Sequence, residues 1–282
     1  MGVVKVARRE PPAELVATRA SIEQNMSGLP QPEGTTARDA TLGGVRAVEC
    51  RPEGGGDGRT ILYFHGGGFR LGSGPAWRVY CSHLAKASDA TVYAVDYRLA
   101  PEHPFPAAVD DCVAVYRAVS GPVVLAGDSA GGNLAAATAL ALADAGDALP
   151  AGIVCCSPWA DLTNSAETYT TRAGVDNLFS LDSATTATEL YLDEGEDPKQ
   201  ALVSPVFGDW AGAPPVLIQV GDHEVLLDDA RNLADAMRSA GVDVRHHVFP
   251  EMPHVWQLGY PDLPQAVEAV DEIAAFVKEV TQ

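Results

Sequence analysis

The sequence predicts an α/β fold in which a mostly parallel sheet is covered by helices on both faces. Three observations lead to this prediction. Short runs rich in Val, Ile and Leu alternate with longer stretches whose apolar residues recur at helical spacing. The runs are apolar throughout, which is typical of parallel strands buried on both faces. A chain of 282 residues is also long enough to bury such a core as one domain.

The predicted strands and helices follow one another along most of the chain. The runs TILYF and TVYAV, for example, are mainly β-branched or aromatic, which suits a pleated and buried surface. Strands are predicted at residues 60–64, 91–95, 122–126, 151–157, 216–220 and 242–249. Helical segments are predicted between and after them, at residues 80–87, 105–119, 133–145, 226–240 and 265–280.

Two stretches depart from this alternation. Residues 1–45 have a polar, helical pattern that prolines interrupt, and residues 162–209 carry only a weak helical pattern. An irregular insertion of that length in a compact fold is typically functional. We therefore expect residues 1–282 to form a single domain, in which residues 1–45 and about 162–209 make a cap over the site.

The composition excludes several classes of function. The formal net charge is −19, so the surface repels nucleic-acid phosphates and anionic lipid. No run of about 18 or more apolar residues is present, and the first residues lack the apolar stretch of a secretory signal. The five cysteines lack metal-ligand spacing, and we expect them to be reduced core residues. The expected location is the cytoplasm.

A serine nucleophile is predicted at Ser129. Residues 127–131 read G-D-S-A-G and stand between the predicted strand PVVLA and an alanine-rich helix. The G-x-S-x-G pattern requires this strand–turn–helix context, because its glycines let the chain turn sharply enough to expose the serine hydroxyl. The helix that begins after Ser129 directs its positive end at the site, which favours an oxyanion there.

Backbone donors for that oxyanion are predicted in the loop HGGGF, residues 65–69, directly after the strand TILYF. Consecutive glycines leave their N–H groups unobstructed, and such a loop completes an oxyanion hole with the N–H that follows the nucleophile. The predicted donors are Gly67, Gly68 and Ala130. His65 is expected to shape the loop and to take no part in catalysis.

The general base is predicted to be His254, because it stands in the turn PEMPH after the last predicted strand. In this arrangement the base follows the nucleophile and the acid in chain order. The acid should lie in the turn after the strand VLIQV, where Asp222 and Glu224 compete. Either carboxylate could orient the imidazole, and the residues alone leave both open. A metal site at Asp222, His223 and Glu224 is the weaker alternative, since no second ligand cluster is evident.

Together the motifs resemble the hormone-sensitive-lipase-like carboxylesterases, the bacterial family IV branch of the α/β-hydrolases. The resemblance rests on HGGGF, DYRLAPEHPFPAAVDD (96–111), GDSAGGN (127–133), GDHEVLLDD (221–229) and MPHVW (252–256). It implies the α/β-hydrolase fold, a Ser–acid–His triad, a helical cap, and hydrolysis of small or short-chain carboxylic esters without a cofactor. Family members often dimerise through the last strand, so a homodimer formed through residues 242–249 is also expected.

The resemblance also assigns the acid. Members typically carry D-P-L-R-D-E after a strand that begins P-P, and matching L-R-D-E to residues 226–229 places the acid at Glu224. The polar residues of the second motif are expected to brace the loop beneath the site: Asp96, Arg98 and Glu102.

Two other functions are left open by the sequence. A lactone hydrolase would use the same three residues on a cyclic ester. A protein of this fold that has lost its base could instead bind a small ligand, and the presence of His254 argues against that. The aromatic residues near the motifs are expected either to line the acyl and alcohol pockets or to belong to the core: Phe69, Trp159, Phe179 and Trp256.

Overall fold

The computed structural model describes residues 9–56 and 58–282. Its centre is an eight-stranded sheet with the strand order β1-β2-β4-β3-β5-β6-β7-β8. The strands are β1 (Thr35–Leu42), β2 (Val45–Pro52), β3 (Thr60–Phe64), β4 (Thr91–Val95), β5 (Val123–Asp128), β6 (Gly152–Cys156), β7 (Val216–Gly221) and β8 (Val244–Phe249). Strands β3 to β8 are parallel to one another, whereas β2 is antiparallel to both β1 and β4. The predicted, mostly parallel α/β sheet is confirmed.

Helices cover both faces of the sheet, as the alternation of the sequence predicts. They are α1 (Ala13–Ser27), α2 (Gly74–Ser88), α3 (Ala107–Arg117), α4 (Ala130–Ala145), α5 (Thr168–Thr171), α6 (Leu181–Tyr191), α7 (Leu227–Ser239) and α8 (Pro264–Val280). Apolar residues of α2 and α8 pack on one face, and those of α3, α4 and α7 pack on the other. Among the described residues, no helix has the length and hydropathy needed to span a bilayer.

The adjacent cysteines of β6 show how the sheet separates two cores. Cys155 packs in the cluster on the α4 side, and Cys156 packs in the cluster on the α2 side. Successive side chains of a strand point to opposite faces, which accounts for this division. All five cysteines are free and buried, so the prediction that they are core residues is confirmed.

The first two strands differ from the prediction. Residues 35–42 were expected to be part of a polar, helical cap, but they form edge strand β1, and β2 was not predicted at all. The side chains of β1 are mostly exposed or half-buried, so the strand has no apolar run that would reveal it. In β2 the buried Glu49 interrupts the apolar pattern, and its ion pairs with Arg38 and Arg51 stabilise its charge there. Residues 1–8 of the expected cap lie outside the described residues.

The sheet brings the predicted site residues to one edge. Because β3, β5, β7 and β8 are parallel, their carboxyl ends meet on the same side of the sheet. The loop 65–69, Ser129, Glu224 and His254 follow these ends in that order. Strand β8 forms the edge of the sheet opposite β1, and the pairing of two copies through β8 stays a prediction.

Candidate active site

Ser129 stands on a sharp turn between β5 and α4. Its backbone has φ 55° and ψ −120°, a strained conformation for a residue other than glycine. The flanking glycines are required by close contacts. A Cβ on Gly131 would lie 1.9 Å from the carbonyl oxygen of Phe64, and one on Gly127 would lie 2.3 Å from the carbonyl oxygen of Gly131. Any side chain at residue 127 or 131 would therefore collide with the backbone around the turn.

Three of the predicted residues form one hydrogen-bonded chain. Nε2 of His254 lies 3.0 Å from Oγ of Ser129, and Nδ1 of His254 lies 2.8 Å from Oε2 of Glu224. A carboxylate only accepts hydrogen bonds, so Nδ1 carries the proton and Nε2 is left to accept the serine proton. All three side chains are buried, which strengthens the electrostatic coupling between them.

Glu224 is held in place by donors from two other segments. Its Oε1 accepts hydrogen bonds from the Gly221 N–H at 2.6 Å and from Oγ of Ser157 at 2.7 Å. Oε2 is thereby left for His254. Burial raises the pKa of Glu224, although His254, Gly221 and Ser157 all favour its charged form. Sequence reasoning missed Ser157, whose one signal is that a polar residue directly follows a buried strand.

Asp222, the competing acid, contacts the backbone of the turn that precedes His254. Its Oδ1 accepts a hydrogen bond from the Glu251 N–H at 2.6 Å, and its side chain is 36% exposed. Asp222 thus braces the turn that leads to His254. Among the described residues, no group of three His, Cys, Asp or Glu side chains is arranged to hold a metal ion.

His254 is an imidazole whose environment favours the cation. Burial lowers the pKa of His254, but the hydrogen bond and the charge of Glu224 outweigh burial, with smaller contributions from Asp176 and Asp128. The net effect is a pKa above the usual value of a histidine. The site can therefore stabilise an imidazolium that forms when His254 takes a proton.

The glycine loop lies opposite the serine. Gly67 and Gly68 have φ values of 117° and 61°, and both line the cavity above Ser129. In the described part of the chain, the N–H groups of Gly67, Gly68 and Ala130 are not donors in any backbone hydrogen bond. His65 shapes the loop, since its Nδ1 lies 2.8 Å from the carbonyl oxygen of Gly66. Burial lowers the pKa of His65 to about 4, so its ring is neutral.

Asp128 joins the glycine loop to the turn that holds Ser129, and sequence reasoning gave it no role. Its Oδ1 accepts hydrogen bonds from Tyr63 Oη at 2.9 Å and from Trp77 Nε1 at 3.0 Å. The backbone of Gly66 also favours the charged form of this carboxylate. Burial raises the pKa of Asp128 to about 6 despite these donors. Its position inside the G-D-S-A-G motif was the available signal.

The second motif braces the surrounding loops as expected. Arg98 forms a bidentate ion pair with Asp111, and Glu102 pairs with Arg19 of α1. Asp96 accepts a hydrogen bond from the N–H of Gly74 at the start of α2. None of these groups touches the triad, which agrees with a supporting role.

A cavity of about 300 Å³ opens above Ser129. Of the four aromatic residues named above, only Phe179 lines it, and its ring stacks on the imidazole of His254 at 5.6 Å. The other three belong to the core: Phe69, Trp159 and Trp256. The cavity is lined by Ile22, Gly67, Gly68, Arg70, Leu71, Trp77, Asp128, Ser129, Leu178, Phe179, Ser183, His254, Val255 and Leu258.

Comparison with known proteins identifies a matching family and several relatives of this chain. Residues 61–258 match a protein family described as having an alpha/beta hydrolase fold. The chain is 43% identical over 276 residues to an acetyl-hydrolase from Streptomyces hygroscopicus, covering 96% of this chain and 90% of that protein. It is 35% identical over 266 residues to an esterase from Acinetobacter venetianus, with coverages of 92% and 88%.

Solved structures give the same picture. An esterase from the bacterial hormone-sensitive lipase family is 39% identical, with a TM-score of 0.91 over 97% of this chain and 94% of that one. The protein EstE5, from a crystal soaked with p-nitrophenyl butyrate, is 35% identical, with a TM-score of 0.90 and coverages of 98% and 94%. At these identities and coverages the likeness extends over nearly the whole chain.

Proposed function

Because the chain belongs to the bacterial hormone-sensitive-lipase-like esterases of the α/β-hydrolase fold and is a carboxylic ester hydrolase, we propose that it cleaves small or short-chain esters through an acyl-enzyme on Ser129. The observation that carries this proposal is the chain of hydrogen bonds from Glu224 through His254 to Oγ of Ser129. This series of hydrogen bonds ends at Ser129, which lines the cavity together with two glycines of the loop 65–69.

In the first half of the proposed reaction, Nε2 of His254 takes the proton of Ser129 as Oγ attacks the ester carbonyl carbon. The carbonyl oxygen becomes an oxyanion, and the N–H groups of Gly67, Gly68 and Ala130 donate to it. Glu224 stabilises the imidazolium and holds its orientation. The imidazolium then protonates the leaving alcohol, and the acyl group stays on Ser129.

The second half repeats these roles with water as the nucleophile. His254 takes a proton from the water, whose oxygen attacks the acyl carbonyl carbon. The same three N–H groups hold the second oxyanion. Collapse of the tetrahedral intermediate returns the proton to Oγ of Ser129 and releases the carboxylic acid. No group other than the residues of the chain and water is needed for this cycle.

We infer that α1 and residues 162–209 act as the cap of this site. Ile22 of α1 and the residues Leu178, Phe179 and Ser183 of the insertion line the cavity together with Ser129. Arg9, which precedes α1, links the two parts of this cap. Its guanidinium donates to the carbonyl oxygens of Glu189 and Leu190 at the end of α6. Such a cap restricts the space above the serine.

We expect the rate to fall with acyl length. Measured as kcat/KM on p-nitrophenyl esters, acetate to butyrate should exceed decanoate by about tenfold or more, because a cavity of about 300 Å³ is at the small end of ligand sites. The descriptions of two relatives agree with a preference for short acyl chains, since one is an acetyl-hydrolase and a crystal of the other was soaked with p-nitrophenyl butyrate.

The same series of esters also tests the proposed function itself. A kcat/KM that rises steadily to the longest chain would contradict the short-chain assignment and indicate that the cap opens. Absence of turnover on every p-nitrophenyl ester would contradict the proposal, and aliphatic lactones would then be the next substrates to assay. The rate with p-nitrophenyl butyrate, measured below and above the solubility limit of this ester, controls for the effect of micelles.

The dependence of kcat/KM on pH should reflect the protonation of His254. Only the neutral imidazole can take the serine proton, and Glu224 raises the pKa of His254. We therefore expect kcat/KM to be lost as pH falls through a midpoint above that of an ordinary histidine, about 6.5. Initial rates of p-nitrophenyl butyrate hydrolysis across pH, with circular dichroism to exclude unfolding, measure this midpoint.

A second group titrates in the same range and needs its own control. Burial raises the pKa of Asp128 to about 6, so its protonation could contribute to the acid limb. The variant Asp128→Asn removes that titration, and the midpoint should persist in it. A midpoint below the ordinary histidine value in both proteins would contradict the role assigned to Glu224.

A further inference from the structure

Arg70 brings a positive charge into the cavity of the active site. It follows the loop 65–69 by one residue and lines the cavity together with Ser129 and His254. Its guanidinium lies beside the proposed oxyanion hole, since a Cβ on Gly68 would be 3.7 Å from Nε of Arg70. A substrate whose carbonyl oxygen is held at Gly68 thus places its adjoining atoms within reach of this cation.

The guanidinium of Arg70 has few partners in the protein. Its Nη2 donates to Oγ of Ser183 at 3.3 Å, and its Nε is buried without a hydrogen-bond partner. No carboxylate of residues 9–56 and 58–282 lies within ion-pair distance of it. A guanidinium has five N–H donors in a planar fork, so most of them stay available.

This arrangement contrasts with the other arginines near the site. Arg19 donates to Glu102 and Arg98 forms a bidentate pair with Asp111. The chain has 38 Asp and Glu residues against 19 Lys and Arg residues, so carboxylates are abundant. The cation of Arg70 is thus unpaired in the described residues of a strongly acidic protein.

The surroundings of Arg70 give little compensation for its charge. Most of the side chains that share the cavity are apolar, among them Ile22, Leu71, Leu178 and Phe179. Burial, and then the charge of Arg19, lower the pKa of Arg70. A guanidinium stays charged nonetheless, and a partly desolvated cation without a partner is unfavourable until an anion reaches it.

We propose that Arg70 is a specificity-determining residue, which selects esters that carry a carboxylate close to the scissile carbonyl group. The fork of the guanidinium matches the two oxygens of a carboxylate, and the apolar lining of the cavity weakens the screening of the pair. This proposal rests on the proposed esterase function and adds the chemical class of its substrate.

The test compares anionic and neutral esters of the same shape. On the leaving-group side the pair is p-acetoxybenzoate and p-acetoxybenzamide, and on the acyl side it is mono-p-nitrophenyl adipate and p-nitrophenyl hexanoate. For each pair the ratio of kcat/KM, anionic over neutral, is measured in wild type, Arg70→Met and Arg70→Lys. The exposed Arg238→Met is the matched control, since it changes the net charge equally at a distance from the cavity.

For at least one pair, Arg70→Met should lower this ratio about tenfold or more, as expected for the loss of a charge-assisted hydrogen bond. Arg70→Lys should retain part of the selectivity, and Arg238→Met should retain all of it. Equal losses on neutral and anionic esters in Arg70→Met, or unchanged ratios for both pairs, would overturn the proposal. A wild type that is inactive even on neutral esters would instead contradict the proposed function.

Discussion

Replacing Ser129 by Ala is expected to lower kcat about 10³-fold or more while the fold is retained. The substitution removes the atom that attacks the ester carbonyl, and His254 is left without the hydroxyl group whose proton it takes. The fold should tolerate the change, because the side chain of Ser129 makes no capping hydrogen bond to α4. Among the described residues, the side-chain hydrogen bond that is lost is the one with Nε2 of His254.

The measurement is kcat on p-nitrophenyl butyrate, together with the thermal unfolding temperature. Ser165→Ala is the matched control, because Ser165 is exposed in the insertion and should leave kcat within about twofold. A serine-reactive sulfonyl fluoride gives an independent readout. It should add mass to the peptide that contains residue 129 in wild type and in the control, but not in Ser129→Ala. Full activity of Ser129→Ala would show that another residue is the nucleophile.

Replacing Glu224 by Gln should also lower kcat about 10³-fold or more, whereas Asp222→Asn should keep it within about threefold. Glutamine removes the charge that stabilises the imidazolium, and its amide group can donate to Nδ1 and impose the wrong tautomer. Asp222 contacts the Glu251 N–H, and asparagine retains an oxygen that can accept this hydrogen bond. Since both substitutions remove one negative charge, each is the control for the other.

The variant Glu224→Asp refines this comparison. It retains the charge but shortens the side chain by one methylene, so the 2.8 Å contact with Nδ1 of His254 should lengthen. We expect kcat between those of wild type and Glu224→Gln. If Asp222→Asn loses activity and Glu224→Gln does not, the acid lies two residues upstream and the turn 221–224 adopts another conformation in solution.

The sequence by itself determined the parts of this protein that depend on local chemistry. A buried strand must be apolar, and a turn as tight as that at Ser129 must have glycine at residues 127 and 131. Both requirements leave a pattern in consecutive residues. The parallel sheet, the nucleophile turn and the glycine loop were predictable for this reason. Polar edge strands such as β1 carry no such pattern, because solvent satisfies their side chains on both faces.

Only the tertiary structure decided which polar groups form hydrogen bonds or ion pairs with one another. Asp222 and Glu224 are two residues apart, and residue chemistry left both open as the acid, although the family resemblance favoured Glu224. Glu224 turns inward because Ser157, which follows strand β6, supplies a donor from a distant part of the sequence. Arg70 likewise has an ordinary place in the sequence, and its lack of a carboxylate partner among the described residues depends on every segment folded around it. Contacts between distant segments are set by packing, and a linear pattern carries information mainly about neighbours.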